Sequence, residues 1–201
     1  MKLYAILAVL ILGMIVGIYL QFFSQGAARE RAVTALLNSI TETVNGQDRA
    51  KIGAAFNDAL TDDAKVHLAV QFATLAQPDA PAVIQDFDKA SFLPFIDNLL
   101  FSLSAYQMQY QITEQLPNAV PDELIVRFNV QQSADGNAYY AGITVQSRFM
   151  LQGACEMLLR FEGKKPRIAN LSCNQRVRNS PKSEEASKLR GNPEAMRALM
   201  R

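Results

Sequence analysis

Two spacings of apolar residues occur along the chain, and each predicts a different element. In residues 28–44 the apolar side chains recur three, four, seven and eleven positions after the first, which marks one face of an amphipathic helix. Asn45 and Gly46 predict the end of this helix, because both residue types tolerate the left-handed backbone of a C-cap. Asp48 is the predicted N-cap of a short second helix that runs to about Phe56.

A third helix is predicted at Ser91–Leu103, where apolar residues again follow helical spacing. Either Asp88 or Ser91 is its N-cap, and Pro94 falls in the first turn, where a missing N–H has little effect. Elsewhere apolar and polar residues alternate one by one, which is the period of a half-buried strand. Such strands are predicted over residues 65–72, 106–112, 124–131 and 141–148, and in a final hairpin over residues 154–177.

These strands predict an antiparallel sheet with one apolar face and one polar face. Asp135-Gly136 is a hairpin signal, whereas Gly153 fits either a tight turn or a bulge in a long bent strand. The three helices are expected to cover the apolar face, which gives a cone-like α+β domain over residues 28–177. The polar face is either plain solvated surface or a wet interface. Its members are Gln107, Gln109, Gln111, Arg127, Asn129 and Gln131, the candidate interface residues, together with Thr144, Gln146 and Arg148.

The first 23 residues predict a membrane anchor. Leu3–Leu20 contains eighteen consecutive uncharged residues, which as a helix would cover about 27 Å, close to the hydrocarbon thickness of a bilayer. The alternative is a signal peptide cleaved near Gly26-Ala27-Ala28, although the apolar run is longer than a usual signal-peptide core. Gly13 and Gly17 form a small-xxx-small pair through which two anchor helices can approach closely. The anchor is expected to be retained and to export the domain that follows it.

Charge is divided unevenly along the chain. The 201 residues carry a formal net charge of +1, which excludes nucleic-acid binding by bulk electrostatics. Residues 176–201 hold seven Lys and Arg against three Glu, a net charge of +4, and the preceding 175 residues carry a net charge of −3. The stretch over residues 178–201, rich in Ser, Pro, Lys and Glu, is therefore predicted to be a disordered basic tail.

Cys155 and Cys173 predict a structural disulfide. If the last hairpin is centred on Lys164, the two cysteines face each other on antiparallel strands, within disulfide range. The alternative is two reduced core cysteines, but an oxidising periplasm favours the bridge. Two cysteines and one histidine are too few for a zinc site built only from these residue types. The same register keeps one face apolar by pairing Met157 with Leu171 and Leu159 with Ala169.

The order helix, helix, strand, helix and then a run of antiparallel strands resembles the nuclear transport factor two-like (NTF2-like) superfamily, a cystatin-like α+β cone. With an anchor ahead of it, the layout is also similar to the inner-membrane scaffold subunit of type IV secretion systems. That second resemblance implies a non-enzymatic assembly role facing the periplasm, with self-association. The likeness rests on the helix Ala28–Val44, the helix that starts at Asp48, the segment Phe56–Lys65, the helix Ser91–Leu103 and the terminal hairpins.

Enzymes on this cone, as the resemblance implies, hold an acid, a base or a polar tyrosine in the pocket between helices and sheet. His67 falls on the polar side of its strand, Tyr106 and Tyr110 fall on the apolar face, and Asp62-Asp63 is expected to be solvated. No phosphate-binding loop, histidine metal motif or nucleophile elbow is found, so no catalytic residue, cofactor or metal ligand is assigned. The candidates considered are His67, Tyr106, Tyr110, Tyr139, Tyr140, Asp86 and Asp88.

The resulting hypothesis is a single-pass protein of the bacterial inner membrane whose domain faces the periplasm. It binds protein partners in an envelope or secretion assembly, with a homodimer among the expected forms. The alternative is a small-ligand-binding or isomerase/dehydratase-like enzyme of the same fold, and a third option is a secreted protein released by cleavage near Ala28. Packed Phe, Leu and Met in the cone favour the first hypothesis, whereas an open cavity with a carboxylate, His or Tyr favours the second.

Overall fold

The structure is a computed structural model and describes residues 26–72 and 80–200. In this part of the chain five helices and six strands follow one another. They are α1 (residues 26–45), α2 (Arg49–Ala59), β1 (Leu60–Phe72), β2 (Val83–Asp88), α3 (Lys89–Ser102), β3 (Leu103–Pro117), β4 (Glu123–Tyr140), β5 (Ile143–Glu162), β6 (Lys165–Pro181), α4 (Ser183–Arg190) and α5 (Pro193–Met200).

The strands form one curved sheet in the order β2-β1-β6-β5-β4-β3. Neighbouring strands are antiparallel except β1 and β6, which run parallel. The sheet is therefore mixed, and the expectation of a wholly antiparallel sheet is wrong. A parallel pair needs a long crossover instead of a tight turn, so no local sequence signal marks it. The prediction also misses β2, whose six residues are nearly all exposed and follow no clear period.

The three predicted helices are present as α1, α2 and α3. Asp48 caps α2 by accepting a hydrogen bond from the backbone N–H of Lys51. Asp88 caps α3 in a reciprocal capping box with Ser91. After α1 the left-handed residue is Gln47, with φ 60°, and not the Asn-Gly pair before it. The apolar stripe of α1 packs in the core through Val33, Leu37 and Ile40, each at most 4% exposed.

The main core lies between α1–α3 and the face of the sheet that we call the inner face. Leu60, Val126 and Leu159 are fully buried there, and α1, α2, α3 and four strands, β1, β4, β5 and β6, contribute buried residues to it. Burial of this apolar surface is the main favourable term for folding, at roughly 25 cal/mol per Å² removed from water.

The β4 and β5 strands continue past the predicted turn. Asp135 and Gly136 lie within β4 and pair with β5, so the hairpin prediction at this dipeptide is wrong. The chain turns instead at Ala141 and Gly142, both with positive φ, 43° and 90°, as a two-residue hairpin of the primed type requires. Gly136 has a packing role, because a Cβ there would lie 2.6 Å from the side chain of Leu103.

Gly153 marks neither a turn nor a bulge. It lies inside β5 and pairs without a register shift with Val130 on one side and Gln175 on the other. A Cβ at this position would lie 2.2 Å from the carbonyl oxygen of Asn174. Only glycine therefore permits the close approach of β5 and β6 at this point.

The segment predicted to be a disordered tail is structured. The β6 strand continues to Pro181, and α4 and α5 then pack against the inner side of the β4–β5 extension. Because the hairpin turns later than predicted, its extra residues present apolar surface that needs a cover. Two fully buried residues of the helices, Leu189 and Ala195, form a second small core with Ala138, Tyr140 and Val145.

The predicted disulfide is present. Cys155 and Cys173 face each other on β5 and β6 with their Cα atoms 4.2 Å apart, and both belong to the main core. Nearer the tip of the hairpin the predicted register fails, because Leu159 faces Ile168 and not Ala169. The turn there leaves one residue of β6 without a partner, which is a β-bulge.

Among the described residues, no helix is long and apolar enough to cross a membrane. The predicted anchor over residues 1–23, with Gly13 and Gly17, lies outside the described residues. Retention or cleavage of that segment stays a prediction.

Candidate functional site: the outer face of the sheet

The outer face, the side of the sheet opposite the helices, is mostly polar, with Ile84 and Met150 as exposed apolar members. Successive residues of a strand point to opposite faces, and the even-numbered residues of β4 from 124 to 130 are in the core. The odd-numbered residues between them therefore face outward, as do their partners on β3. The structure brings the six candidate interface residues together on this face, all exposed: Gln107, Gln109, Gln111, Arg127, Asn129 and Gln131.

Amide side chains occupy the middle of the outer face. The pairing register aligns one row across four strands, formed by Gln109, Gln131, Gln152 and Arg176, and a parallel row formed by Gln111, Asn129, Ala154 and Asn174. A groove of about 370 Å³ opens beside the first row, between β3, β4 and β5. Amides both donate and accept hydrogen bonds, so this surface suits a polar, hydrated contact. The groove is lined in part by Gln107, Gln131, Arg148, Met150 and Gln152.

Towards the end of the outer face where β4 begins, one row of residues is mainly acidic. Arg127 lies between Glu114 and Glu156 and donates a hydrogen bond to each, at 2.7 and 2.8 Å. The bond to Glu156 and then the bond to Glu114 raise the pKa of Arg127. The same row continues across β6 and β1 to Asp86. This acidic row, defined as Glu114, Arg127, Glu156, Ser172, His67 and Asp86, holds three carboxylates against one guanidinium.

The opposite end of the outer face is basic. Arg176 and Arg178 lie two residues apart on β6 and so point to the same side of the sheet. Arg148 and Lys182 each form an ion pair of 2.9 Å with Asp135, whose side chain is only 9% exposed. Hydrogen bonds from Arg148 and then from Lys182 lower the pKa of Asp135. This basic end, defined by these five residues, holds four cations against one carboxylate.

His67 and Asp86 form a contact that sequence analysis misses. The His67 Nδ1 and Asp86 Oδ1 atoms are 2.6 Å apart on the outer face, with side chains 40% and 77% exposed. Sequence analysis places His67 on the polar side of β1, but without β2 it does not bring Asp86 beside it. A carboxylate that orients an imidazole is an arrangement used by general bases. Here the pair lies on the surface of the sheet and outside the cone.

In the part of the chain that the structure describes, apolar side chains pack between the helices and the inner face. The rings of Phe56, Phe87, Phe92 and Phe95 come from α2, β2 and α3, and their centroids are 4.7 to 6.3 Å apart. Such separations are those of directly packed aromatic pairs. Met108 packs against the main core as well.

Tyr106 and Tyr110 serve as structural links between elements. The Tyr106 hydroxyl lies within hydrogen-bond distance of two carbonyls at the end of α3, those of Leu100 at 2.6 Å and Leu103 at 2.7 Å. The Tyr110 hydroxyl donates to Asn38 Oδ1 of α1 at 2.6 Å. Burial raises the pKa of both phenols, so both remain protonated donors near neutral pH.

The remaining candidates lie apart from one another. Tyr139 is exposed beside the β4–β5 turn, whereas Tyr140 is buried in the second core. Asp88 serves as the α3 cap, and hydrogen bonds from Ser91 lower its pKa. In the described part of the chain, no three His, Cys, Asp or Glu residues are placed to hold a metal ion. The adjacent carboxylates expected to be solvated have separate cation partners: Asp62 pairs with Lys89 at 3.0 Å and Asp63 with Arg160 at 3.2 Å.

Sequence analysis also misses Glu114, Glu156 and Gln152. Their place on the outer face depends on β5 running unbroken through Gly153 and on the register between β3 and β4. The even-numbered polar residues on both sides of Gly153 are a sequence signal for one continuous strand. That signal would have located the β5 members of the outer face.

Helices cover one face of a curved mixed sheet, and this architecture is similar to that of solved structures with TM-scores of 0.52 and 0.53. The expected α+β fold is confirmed, and membership of the superfamily stays a prediction. Membrane anchoring and similarity to a secretion scaffold stay predictions. No protein-family model matches the sequence, and no curated protein matches it.

Three solved structures illustrate the likeness. A conserved protein from Planctomyces limnophilus is 15% identical with a TM-score of 0.52, covering 77% of this chain and 99% of its own. A "Putative Scytalone Dehydratase" from Novosphingobium aromaticivorans is 9% identical with a TM-score of 0.53, covering 79% and 91%. An NTF2-like protein of unknown function from Shewanella oneidensis is 10% identical with a TM-score of 0.45, covering 72% and 98%. At these identities the likeness shows the fold alone.

Proposed function

We propose that this chain is a membrane-anchored domain that faces the bacterial periplasm and binds protein partners through the outer face of its sheet. One observation carries the proposal: the cone is packed with aromatic and aliphatic side chains, whereas the outer face is exposed and rich in hydrogen-bonding groups. Because alternate residues of each strand face opposite sides of the sheet, the polar side chains lie on the outer face and not in the cone.

The filled cone argues against a pocket as the working site. Phe56, Phe87, Phe92 and Phe95 pack ring against ring between α2, β2 and α3. Opening such a space would mean removing large core side chains, at about 3–5 kcal/mol for a Phe to Ala change. The tyrosines on the inner face are already engaged with backbone or with Asn38.

The outer face has the character of a non-obligate protein interface. Such interfaces are about as polar as the rest of a protein surface and carry about ten direct hydrogen bonds with bridging waters. Gln109, Gln131 and Gln152 supply donors and acceptors in one row, and the groove beside them offers a concave seat. This supports recognition of a polar, shaped protein surface.

Two independent features support the proposed location of the domain at the periplasmic side of the membrane. The run Leu3–Leu20 is long enough to span a bilayer, and disulfides such as Cys155–Cys173 persist in oxidising compartments. Five residues separate the end of the predicted anchor, taken at Leu20, from residue 26. Even fully extended they would span no more than about 18 Å, so the domain would stay close to the bilayer.

The test is site-specific photo-crosslinking in intact membranes. A photoreactive residue at Gln131, on the outer face, should form adducts with other proteins, whereas one at Asn57, exposed on α2, should form few. A periplasmic reporter fused to the C-terminus should be active, and a cytoplasmic reporter inactive. No adduct at Gln131 above the Asn57 background would refute partner binding through this face, and an active cytoplasmic reporter would refute the location.

A second candidate function is small-ligand turnover of the isomerase or dehydratase kind. The His67–Asp86 contact of 2.6 Å favours it, because an oriented imidazole can act as a base. This hypothesis predicts that His67→Ala abolishes an activity that Tyr139→Phe, a change at another exposed candidate, leaves intact. Equal turnover by both variants of any substrate found would exclude His67 as the base.

A further inference from the structure

We infer that the free edge of β3 binds an extended segment of the partner protein as an additional strand of the sheet. The inference rests on the proposed function, because it takes this domain as one that binds protein partners. It adds the mode of contact, which is strand addition next to the outer face. The β3 strand is the last of the sheet on its side, so its other edge carries no strand among those that the structure describes.

One side chain already occupies a single position of this edge. The Asn45 Nδ2 atom donates a hydrogen bond to the carbonyl of Met108 at 3.1 Å, and the Met108 N–H donates one to Asn45 Oδ1 at 2.6 Å. A carboxamide carries the same donor and acceptor groups as a peptide unit. Asn45 therefore makes, at this position, the pair of hydrogen bonds that a residue of a neighbouring strand would make.

The next positions of the edge present the same groups. Because the N–H and C=O of Met108 bond to Asn45, they point away from β4, and in an antiparallel pair this direction recurs at every second residue. The main-chain groups of Tyr110 and Ile112 therefore also point away from β4. Within residues 26–72 and 80–200 they have no hydrogen-bond partner. A strand laid along the edge would supply one for each.

The sequence of this edge lacks the features that usually prevent strand addition. Proteins protect their edge strands with charged residues, Pro or bulges. Residues 107–113 contain no charged residue and no Pro, and the register with β4 is regular from Gln107 until the shift after Ile112. Uncharged segments of this length without Pro pair readily with another strand. Asn45 protects this stretch at Met108 alone, so the remainder suits a bound strand.

The two faces of β3 indicate which side chains the added strand should carry. Its odd-numbered residues from 107 to 111 are exposed glutamines on the outer face. Its even-numbered residues, Met108, Tyr110 and Ile112, are half-buried against the main core. Neighbouring residues on the same face of a sheet stabilise each other when their side chains match. We therefore expect an uncharged segment in which apolar residues alternate with amide or hydroxyl residues.

A synthetic peptide that copies residues 126–131 of β4 is a suitable probe, because apolar and polar residues alternate in it and β3 already pairs with this sequence. It carries Arg127→Gln, which makes it uncharged, and a fluorescein label. Fluorescence polarisation measures its binding to the full-length chain in detergent. We expect saturable binding, and no binding of a peptide with the same residues in an order that removes the alternation.

Ile112→Pro removes an N–H that points away from β4, so it acts on the free edge and leaves the β3–β4 hydrogen bonds in place. It should weaken binding of the peptide about tenfold. The matched control Ile112→Val keeps the N–H and should bind the peptide within about twofold of the parent chain. Circular dichroism of each variant establishes that the fold is retained.

Asn45→Ala is a second variant, and it should act in the opposite direction. Loss of the carboxamide frees the N–H and C=O of Met108 for the added strand. The peptide should therefore bind about three- to tenfold more tightly, as expected for one or two more hydrogen bonds. This variant decides the question if Ile112→Pro does not fold. Equal affinity of the parent chain and Asn45→Ala for the peptide would overturn the inference.

The same variants in intact membranes separate this inference from the proposed function. Adducts formed at Gln131 should decrease in Ile112→Pro and increase in Asn45→Ala. Adducts that are present and equal in the parent chain and both variants would overturn strand addition and leave the proposed function intact. Self-association in detergent that Ile112→Pro abolishes would make the occupant a second copy, which would also overturn the inference. Absence of adducts at Gln131 in the parent chain would instead refute the proposed function itself.

Discussion

Reduction of the Cys155–Cys173 bridge is the perturbation whose effect is most directly calculated from the structure. The two cysteines are 18 residues apart in sequence and face each other across β5 and β6. Both are 5% exposed in the main core, so the reduced thiols would stay packed as small apolar groups. The folded state should therefore change little, and the effect should come from the unfolded chain.

The magnitude follows from loop closure. A crosslink that closes a loop of about 18 residues removes roughly 11 cal/mol/K of chain entropy from the unfolded state. At 25 °C this is about 3 kcal/mol of stability. For a domain of 150–250 residues, 1 kcal/mol moves Tm by about 2–4 °C, so reduction should lower Tm by about 6–12 °C.

Thermal unfolding of the full-length chain in detergent, with and without reductant, measures this difference. The chain has no Trp, so far-ultraviolet circular dichroism is the suitable signal, and a thiol assay verifies complete reduction. The control is the Cys155→Ala/Cys173→Ala double variant, whose Tm should not respond to reductant. A wild-type Tm that falls by less than about 2 °C after complete reduction would refute the entropy argument.

Three further changes test packing and charge. Gly153→Ala should destabilise the domain by about 1–3 kcal/mol, because its Cβ would lie 2.2 Å from a β6 carbonyl. The control Gly53→Ala, in open space within α2, should stabilise by up to about 1 kcal/mol, and equal urea midpoints would contradict both expectations. Leu189→Ala should cost about 2–5 kcal/mol and open the segment after Pro181 to limited proteolysis, and unchanged protection would show that α4 is held by other contacts. The pKa of Asp135 lies below its ordinary value of 3.8 in the fold, so its ion pairs stabilise at higher pH and this contribution is lost as pH falls through the folded pKa. Asp135→Asn should therefore lower Tm at pH 7, and this loss of Tm should become smaller as the pH drops below about 3.8. An equal loss of Tm at pH 7 and below pH 3.8 would mean that charge is not the cause.

The spacing of apolar and polar residues predicts those elements that depend only on residues close together in the sequence. The stripe on α1 and the caps at Asp48 and Asp88 are predicted from residues a few positions apart, and the Cys155–Cys173 pairing is predicted within a single hairpin. The parallel pairing of β1 with β6 joins segments about 100 residues apart and has no local signal. Long-range pairing is what sequence reasoning misses.

Two errors at the C-terminal end have one cause. If the turn is placed at Asp135-Gly136, the apolar surface that Ala138, Tyr140 and Val145 form on the inner side is not predicted. With no surface to cover, the last residues resemble a disordered tail, because α4 and α5 are eight residues each and α4 carries only two apolar side chains, Ala186 and Leu189. Short helices gain stability mainly from the surface on which they pack, so their prediction depended on the hairpin.

The sequence predicted which residues of β3 and β4 belong to the candidate site. It did not predict how charge is distributed over that site. Alternation alone identifies Gln109 and Gln131 as outward-facing, since it needs only the period of a strand. The acidic row needs the register of all six strands, because Glu114, Glu156 and Asp86 are brought together only by pairing. A charge pattern across a sheet is therefore a property of topology more than of composition.

Strand alternation also separates the residues that pack the cone from those on the outer face, on which the proposed function depends. Along β4, Phe128 and Val130 fill the cone, while Arg127 and Asn129 between them face the opposite way. A substitution at an even-numbered position of β4 changes the packing of the cone. It does not alter the side chains of the odd-numbered residues on the outer face, so the residues of the two faces can change independently. The packing that fills the cone supports the sheet from its inner side, and the strand register fixes which charged residues are neighbours on the outer face. On the proposed function the filled cone and the charged outer face are therefore two parts of one arrangement.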